Sequence, residues 1–292
     1  MLNFMKHKKA YLLISGALLV PGIISLLAFG LKPSIDFTGG TVLELRFTGD
    51  DQPAIRNFQT DPGEIISVQK SGEKTYLLKM KPLDEARKNE IKTQLTEQFG
   101  ETEEIRFETV GPVLGHELLR KTLVAVVLAA GFILSYIAYQ FKDKMYGICA
   151  VLAMFHDTFI LLGSFSLLGE WLGVEVDTLF VTAVLTTLSA SVHDTVVTYD
   201  SIRNAVRRNP KAEFAELVNQ AINQTLIRNL NNSLTIIFML LALVLLGGPT
   251  IRWFVAALLI GTIAGTYSST FIATSLLLVW KDLAAKKFLR SH

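Results

Sequence analysis

Six stretches of mostly apolar sequence, each long enough to cross a bilayer as a helix, constrain this chain more than any other feature. Crossing the hydrocarbon core takes about 20 such residues at a helical rise of about 1.5 Å each. The segments are Ala10–Leu31, Thr122–Phe141, Gly147–Leu168, Leu179–Tyr199, Arg228–Leu246 and Phe254–Trp280. Charge is concentrated outside them: residues 32–120 hold 28 of the 54 charged side chains, 12 basic and 16 acidic. A soluble chain interleaves charge with apolar residues along its whole length, so this pattern excludes one. The expected fold is a polytopic α-helical membrane protein with six transmembrane helices and one α+β domain between the first and second. The expected division is 1–31 (N-terminus and first helix), 32–120 (domain) and 121–292, a five-helix bundle with a loop at 200–227 and a C-terminal tail.

Other classes fall away on composition. A net charge of +2 with no clustering of basic residues does not describe a nucleic-acid binder. The single cysteine, Cys149, sits in an apolar run, so neither an intrachain disulfide nor a cysteine-based metal site can form. Lys6, Lys8 and Lys9 before the first apolar stretch resemble a signal peptide, yet that stretch is too long for one and no small-x-small cleavage site follows. It reads as an uncleaved anchor, and Pro21-Gly22 predicts a kink in it.

Orientation follows from Lys and Arg in short loops. With the N-terminus inside, the inner segments collect Lys142, Lys144, Arg203, Arg207, Arg208, Lys211 and Lys281, while one outer loop holds Glu170, Glu175 and Asp177 and the other only Arg252. Both termini are then cytoplasmic, and the domain is periplasmic or extracellular.

Within the domain, Thr41–Phe47 alternates like a strand and Asp51–Gln59 suits a short helix. Ile65–Gln69 and Thr75–Met80 flank a Ser71-Gly72 turn, Leu83–Phe99 is a helix, and Glu104–Val110 is a last strand. The order β-α-β-β-α-β predicts a ferredoxin-like sheet. It contains no metal ligands and no nucleophile with a base, which suits docking better than catalysis. Further on, Phe214, Leu217, Val218, Ala221, Ile222 and Thr225 form an apolar stripe, so Lys211–Leu226 reads as an amphipathic helix on the inner membrane face. A helix packed against the span ends explains the same stripe.

Two spans carry charge where it is expensive. His156-Asp157 lies in the third and His193-Asp194 in the fourth, each dyad followed by threonine. An ionised carboxylate at a helix centre costs about 2.5–3.5 kcal/mol on insertion scales, and such residues commonly mark an ion path. A hydrogen-bonded staple between helices is the other reading. Around Asp194, helical spacing gathers Thr187, Ala190, Ser191 and Thr198 on one face, small or polar throughout. The apolar run Leu234–Leu246 is too short to span alone, so the fifth helix extends inward to Arg228, whose long side chain is within reach of Asp194. An inner topogenic charge is the ordinary reading of that arginine. In the sixth span, Ala257, Gly261, Gly265, Ser269 and Ala273 place a small residue at every fourth position, which lets helices approach closely.

These residues carry a resemblance. Asp36-Phe37-Thr38-Gly39-Gly40 resembles the DFTGG-type signature of the SecD/SecF family of protein-export subunits. The segment His193–Asn204 is similar to the SecF-type motif NDTVVVFDRIREN, with His193 where Asn is usual and Ser201 where Arg is usual. His156-Asp157, the run Ala221–Arg228, Gly247-Gly248-Pro249 and Ile260–Ser269 match in order as well. The resemblance implies a subunit of the Sec accessory complex in the cytoplasmic membrane, related to the resistance-nodulation-division transporters. It pairs with SecD and uses the proton-motive force to move preproteins through SecYEG, without cofactor or metal. Asp194 and Arg228 carry over as the proton-coupling pair, with His193, His156, Asp157 and Asp200 as auxiliary positions. Asp36, Gly39 and Gly40 carry over as the signature hinge, and Gly261 and Gly265 as packing positions. Some family members use sodium, and the sequence does not distinguish the two ions. Half of an ion-coupled small-molecule exporter is an alternative, set against the short outer block. An intramembrane metal-dependent hydrolase is another, set against the absence of a His-Glu-x-x-His pattern.

Overall fold

The computed structural model of the chain describes residues 3–48, 64–70 and 72–290. After a short 3-10 turn at Phe4–His7, its elements run α1 (Lys8–Ala28), α2 (Ile35–Thr38), β1 (Gly40–Phe47), β2 (Ile65–Lys70), β3 (Thr75–Met80), α3 (Glu85–Phe99) and β4 (Thr102–Val110). Then come α4 (Pro112–Gln140), α5 (Lys144–Leu172), α6 (Thr178–Arg208), α7 (Phe214–Leu246) and α8 (Pro249–Tyr267). A π-helical segment, Ser268–Ile272, leads into α9 (Ala273–Arg290). Among the described residues, six helices are long and apolar enough to cross a membrane, the sixth being the continuous Thr250–Ala284. The chain divides into two compact units, Pro33–Val124 and Met1–Lys32 with Ala125–His292.

Among the described residues of the first unit, four antiparallel strands lie in the order β2-β3-β1-β4. Alternation puts Leu43, Leu45 and Phe47 of β1 on the same face as Tyr76, Leu78 and Met80 of β3, and α3 covers them with Ile91 and Leu95. Helix α3 begins where the Asp84 carboxylate caps the Arg87 N–H, and it stops at Gly100, whose φ of 95° continues no helix. The expected strands and the second helix are present within two residues at each end. The expected helix Asp51–Gln59 and Ser71 of the expected turn lie outside the described residues.

In the second unit, α1 runs without interruption through Pro21 and packs on α5 in parallel register. Ser15 meets His156, Gly22 meets Gly163, and Ser25 shares a 2.8 Å hydrogen bond with Ser166. A Cβ on Gly163 would lie 2.5 Å from the Gly22 Cα, so only paired glycines permit this approach. Helices α6 and α8 repeat the arrangement. Thr187 fills the place over Gly261, Ser191 lies over Gly265, and the Tyr199 hydroxyl donates to the Ala273 carbonyl at 2.9 Å. The small-residue stripe of the sixth span is thus occupied within the chain.

Two expectations need correction. The segment 200–227 is not a loop: α6 continues to Arg208 and α7 starts at Phe214. Nor is there a separate amphipathic surface helix. Lys211–Leu226 belongs largely to α7, one helix of 33 residues whose Leu217, Val218, Ala221 and Ile222 are buried in the bundle core. The apolar stripe packs against the neighbouring helix ends, and the 3-10 turn adds to that contact when the Met5 N–H donates to the Asn219 side chain at 3.0 Å.

Candidate functional site

Two intramembrane carboxylates sit in opposite settings. Asp157, on α5, is 6% exposed, and both of its oxygens have hydrogen-bond partners. Ser268 donates to Oδ2 at 2.6 Å, Ser191 donates to the same oxygen in a shorter contact, and His156 Nδ1 lies 2.8 Å from Oδ1. The second ring nitrogen of His156 meets Ser15 Oγ on α1. Four elements therefore converge on one carboxylate. The π-helical segment contributes to this: its register shift, closed by the Ala273 N–H bonding to the Ser268 carbonyl, starts at the residue that reaches Asp157.

Asp194, on α6, makes no hydrogen bond among the described residues and is only half-buried. It lines a groove of about 700 Å³ between α6, α7 and α8, together with His193, Ser191, Asn232, Ser233 and Thr266. Most polar groups of that groove are hydroxyls and amides, which solvate an ion or a proton without fixing a charge there. Ser191 belongs to both settings, since it lines the groove and donates to Asp157. Buried without a partner among the described residues are Thr198 Oγ1, Asn229 Nδ2 and Ser275 Oγ.

The other expected residues are distributed as follows. Arg228 is exposed and forms no ion pair among the described residues, so this conformation does not join it to Asp194. It lies one turn along α7 from Asn232, which lines the groove. His193 is exposed at the groove. Asp200 lies apart from both carboxylates, accepting from Gln140 and Arg203 at 3.0 Å each and so tying the end of α4 to α6. Among the described residues, no three His, Cys, Asp or Glu side chains gather closely enough to hold a metal ion.

The Asp36–Gly40 signature forms a turn. Ser34 caps the short helix α2, Gly39 takes φ 73° and Gly40 φ 133°, a conformation that disfavours side chains at both. A Cβ on Gly39 would lie 2.8 Å from the Pro112 Cα at the start of α4, so this glycine also lets β1 and α4 meet.

What sequence reading missed is the convergence of Ser15, Ser191 and Ser268 on the His156-Asp157 dyad. A signal was available on α6, where Ser191 shares the Asp194 face, but no pattern marks Ser15 or the π-helical shift that brings Ser268 inward.

Comparison with known proteins follows the same residues. Residues 90–283 match the family described as protein export membrane protein SecD/SecF, C-terminal, and residues 24–51 match the SecD/SecF GG motif. The chain is 39% identical to a protein translocase subunit SecF of Thermobaculum terrenum, across 99% of this chain and 96% of that one. It is 36% identical to a protein translocase subunit SecDF of Thermus thermophilus, across 91% of this chain but 36% of that longer one. A crystal structure of SecDF from Thermus thermophilus, described as a translocon-associated membrane protein, superposes with a TM-score of 0.84 at 34% identity over 96% of this chain and 39% of that one. On sequence, motif and fold together, this chain belongs to the SecF branch of the SecD/SecF family of protein-export membrane proteins.

Proposed function

We propose that the chain is an accessory subunit of the Sec export machinery that couples the proton-motive force to late steps of preprotein translocation. The observation that carries this reading is Asp194, a carboxylate without a hydrogen-bond partner among the described residues, half-buried in a polar groove of the membrane bundle. Such a group is free to exchange a proton with groove water. Arg228, one turn beyond the groove on α7, supplies the second element: an approaching guanidinium stabilises the ionised carboxylate, and its withdrawal favours the acid. One charge crossing the full potential releases about 2.3 kcal/mol per 100 mV, enough to bias a two-state rearrangement.

The partner is a SecD chain. Relatives that carry both names in one polypeptide are more than twice this chain's length, in keeping with a second six-span half. SecYEG and the moving preprotein complete the assembly. The bias of Lys and Arg places both termini in the cytoplasm and the sheet unit on the outer side of the cytoplasmic membrane. The strand order β2-β3-β1-β4 supports a ferredoxin-like docking domain there.

The test is export into inverted membrane vesicles at fixed ATP, with and without a proton gradient. Asp194→Asn keeps the size of the side chain but releases no proton, so the complex assembles and stimulation by the gradient is lost. Full stimulation of that variant overturns the reading, and stimulation that follows a sodium gradient instead reassigns the ion.

A further inference from the structure

We propose that His156 and Asp157 form a second, buried proton-binding site, reached from the groove through the hydroxyl of Ser191. The argument starts from the hydrogen-bond inventory. An ionised carboxylate only accepts, so His156 Nδ1 carries the hydrogen toward Oδ1, and in the neutral imidazole Nε2 then accepts from Ser15. Ser191 and Ser268 both direct hydroxyls at Oδ2. Every donor is then committed, and with a neutral imidazole the pair bears one net negative charge. Among the described residues no lysine or arginine lies within ion-pair distance of Asp157, and a neutral His156 offers it a hydrogen bond but no charge. Other titratable groups on packed elements include Asp194, His193 and Tyr199 on α6, Tyr11 on α1, Tyr267 at the end of α8, and Cys149 and Tyr146 on α5. None of them hydrogen-bonds the pair, and Tyr267 is engaged with the Tyr11 carbonyl. A buried charge without a counter-ion is neutralised most cheaply by a proton.

The route for that proton is short. Ser191 lines the groove, and its hydroxyl donates to Asp157 Oδ2. A hydronium in the groove forms a new O–H bond to Ser191 Oγ as the old Ser191 O–H bond breaks and its proton passes to Oδ2. The hydronium is left as water, the serine remains a hydroxyl, and the carboxylate becomes a carboxylic acid. Nothing is oxidised or reduced. A void of about 10 Å³ beside Asp157, lined also by Thr187 and Gly261 of the groove, has room for about one water. It is too small for a hydrated metal cation, so the geometry favours a proton. A mere staple has no need of a hydroxyl shared with the groove, nor of a π-helical shift that turns Ser268 inward.

This inference deepens the proton-coupling reading and rests on it only in treating the transfer as productive. Its test needs no export. Acid-induced infrared difference spectra of the full chain in lipid nanodiscs report carboxylic acids directly, by their C=O band. We expect one band to vanish in Asp157→Asn and a different one in Asp194→Asn. In Ser191→Ala, hydrogen–deuterium exchange of the Asp157 band slows by roughly fivefold or more, the factor of one net hydrogen bond. The Asp194 band keeps its rate, and Ser191→Thr restores the fast exchange. Should Asp157→Asn be poorly folded, the serine variants carry the test alone, because both keep the pair intact. An acid-induced spectrum that Asp157→Asn leaves unchanged overturns the proposal. So does an unaltered exchange rate in Ser191→Ala, and so does a band that responds to sodium at constant pH. Gradient-driven export by Asp194→Asn vesicles would remove the functional reading of the groove and leave these spectra standing.

Discussion

In the sheet unit, Leu43, Leu45, Leu78, Ile91 and Leu95 are fully buried, while most charges, Glu44 excepted, lie outside, some in pairs such as Arg87 with Glu64 and Lys92 with Glu104. In the membrane bundle, Leu27, Tyr139 and Leu246 are among the most exposed side chains, and Ser15, Ser25, Ser166, Ser191 and Thr274 are buried. The reversal has a physical cause. Water drives apolar surface together at about 25 cal/mol per Å², so a domain in water is filled by its largest apolar groups. Lipid tails offer leucine nothing to escape from, and helices there associate through close backbone approach and hydroxyl contacts. Burial of serine is thus a packing device in the bundle. Burial of an ionisable group such as Asp157 is not, and that is why function is sought there.

The largest expected effect tests the backbone approach. Gly163→Leu places side-chain atoms where the Gly22 backbone lies, so the α1–α5 register cannot persist. Size-exclusion profiles of the full chain in detergent should lose most of the monodisperse peak. Gly131→Leu on α4 is the control, because nothing lies within 4 Å of its added Cβ, and its profile should match wild type. Equal profiles for the two variants would break the comparison on the bundle side.

A middle-sized effect tests what leucine contributes in each unit. Leu78→Ala empties a fully buried position and should cost the sheet unit about 2–5 kcal/mol. Protection of the β1 and β3 amides in hydrogen exchange reads that loss. Leu27→Ala, at a position 83% exposed, should change the thermal midpoint of the bundle by the equivalent of about 0.5 kcal/mol or less. Comparable losses would mean that the two units are held by the same force.

The same contrast explains what could be read from sequence. Apolar runs report where the bilayer is, and all six spans were legible because a bilayer imposes a minimum length. They do not report where a helix ends. Arg203, Arg207 and Arg208 mark the exit of α6 from the apolar zone, yet the helix continues through them to Arg208. The same blindness divided α7 into a surface helix and a span. In the sheet unit, where alternate side chains of β1 and β3 form the leucine core, boundaries fell within two residues. The dyads His156-Asp157 and His193-Asp194 stand out as charge among apolar neighbours. Their difference does not, since it depends on which serines of other helices arrive. Ser15, Gly22 and Ser25 repeat the spacing of His156, Gly163 and Ser166, seven then three residues, but a match of spacings names no partner until the helices are placed. The π-helical segment leaves no mark in Ser268–Ile272.

The smallest expected effect concerns charge within the sheet unit, where Lys79 departs from the rule that lysines stay in water. It lies near the end of β3, opposite Val42 of β1 and Ser67 of β2, on the face away from the leucine core, and is half-buried. Burial pushes its ammonium down from the usual 10.5 to about 8. The sign follows from proton counting. Below pH 8 both folded and unfolded chains hold the proton, and the folded unit bears the whole cost of the half-buried charge. Between pH 8 and 10.5 the unfolded chain holds a proton that the folded one has released, so stability rises with pH. Above 10.5 the cost is gone. A shift of this size would correspond to more than 3 kcal/mol if wholly buried. Water still reaches the side chain, so about 1 kcal/mol is the expected effect. Lys79→Met removes the charge and fills the same space. At pH 7 its β1 and β3 amides should be better protected than those of wild type, and the ratio between the two proteins should fall toward unity by pH 10.5. Taking the ratio at each pH cancels the intrinsic pH dependence of exchange. A ratio that stays constant from pH 7 to 10.5 would mean that the ammonium remains hydrated in the folded unit.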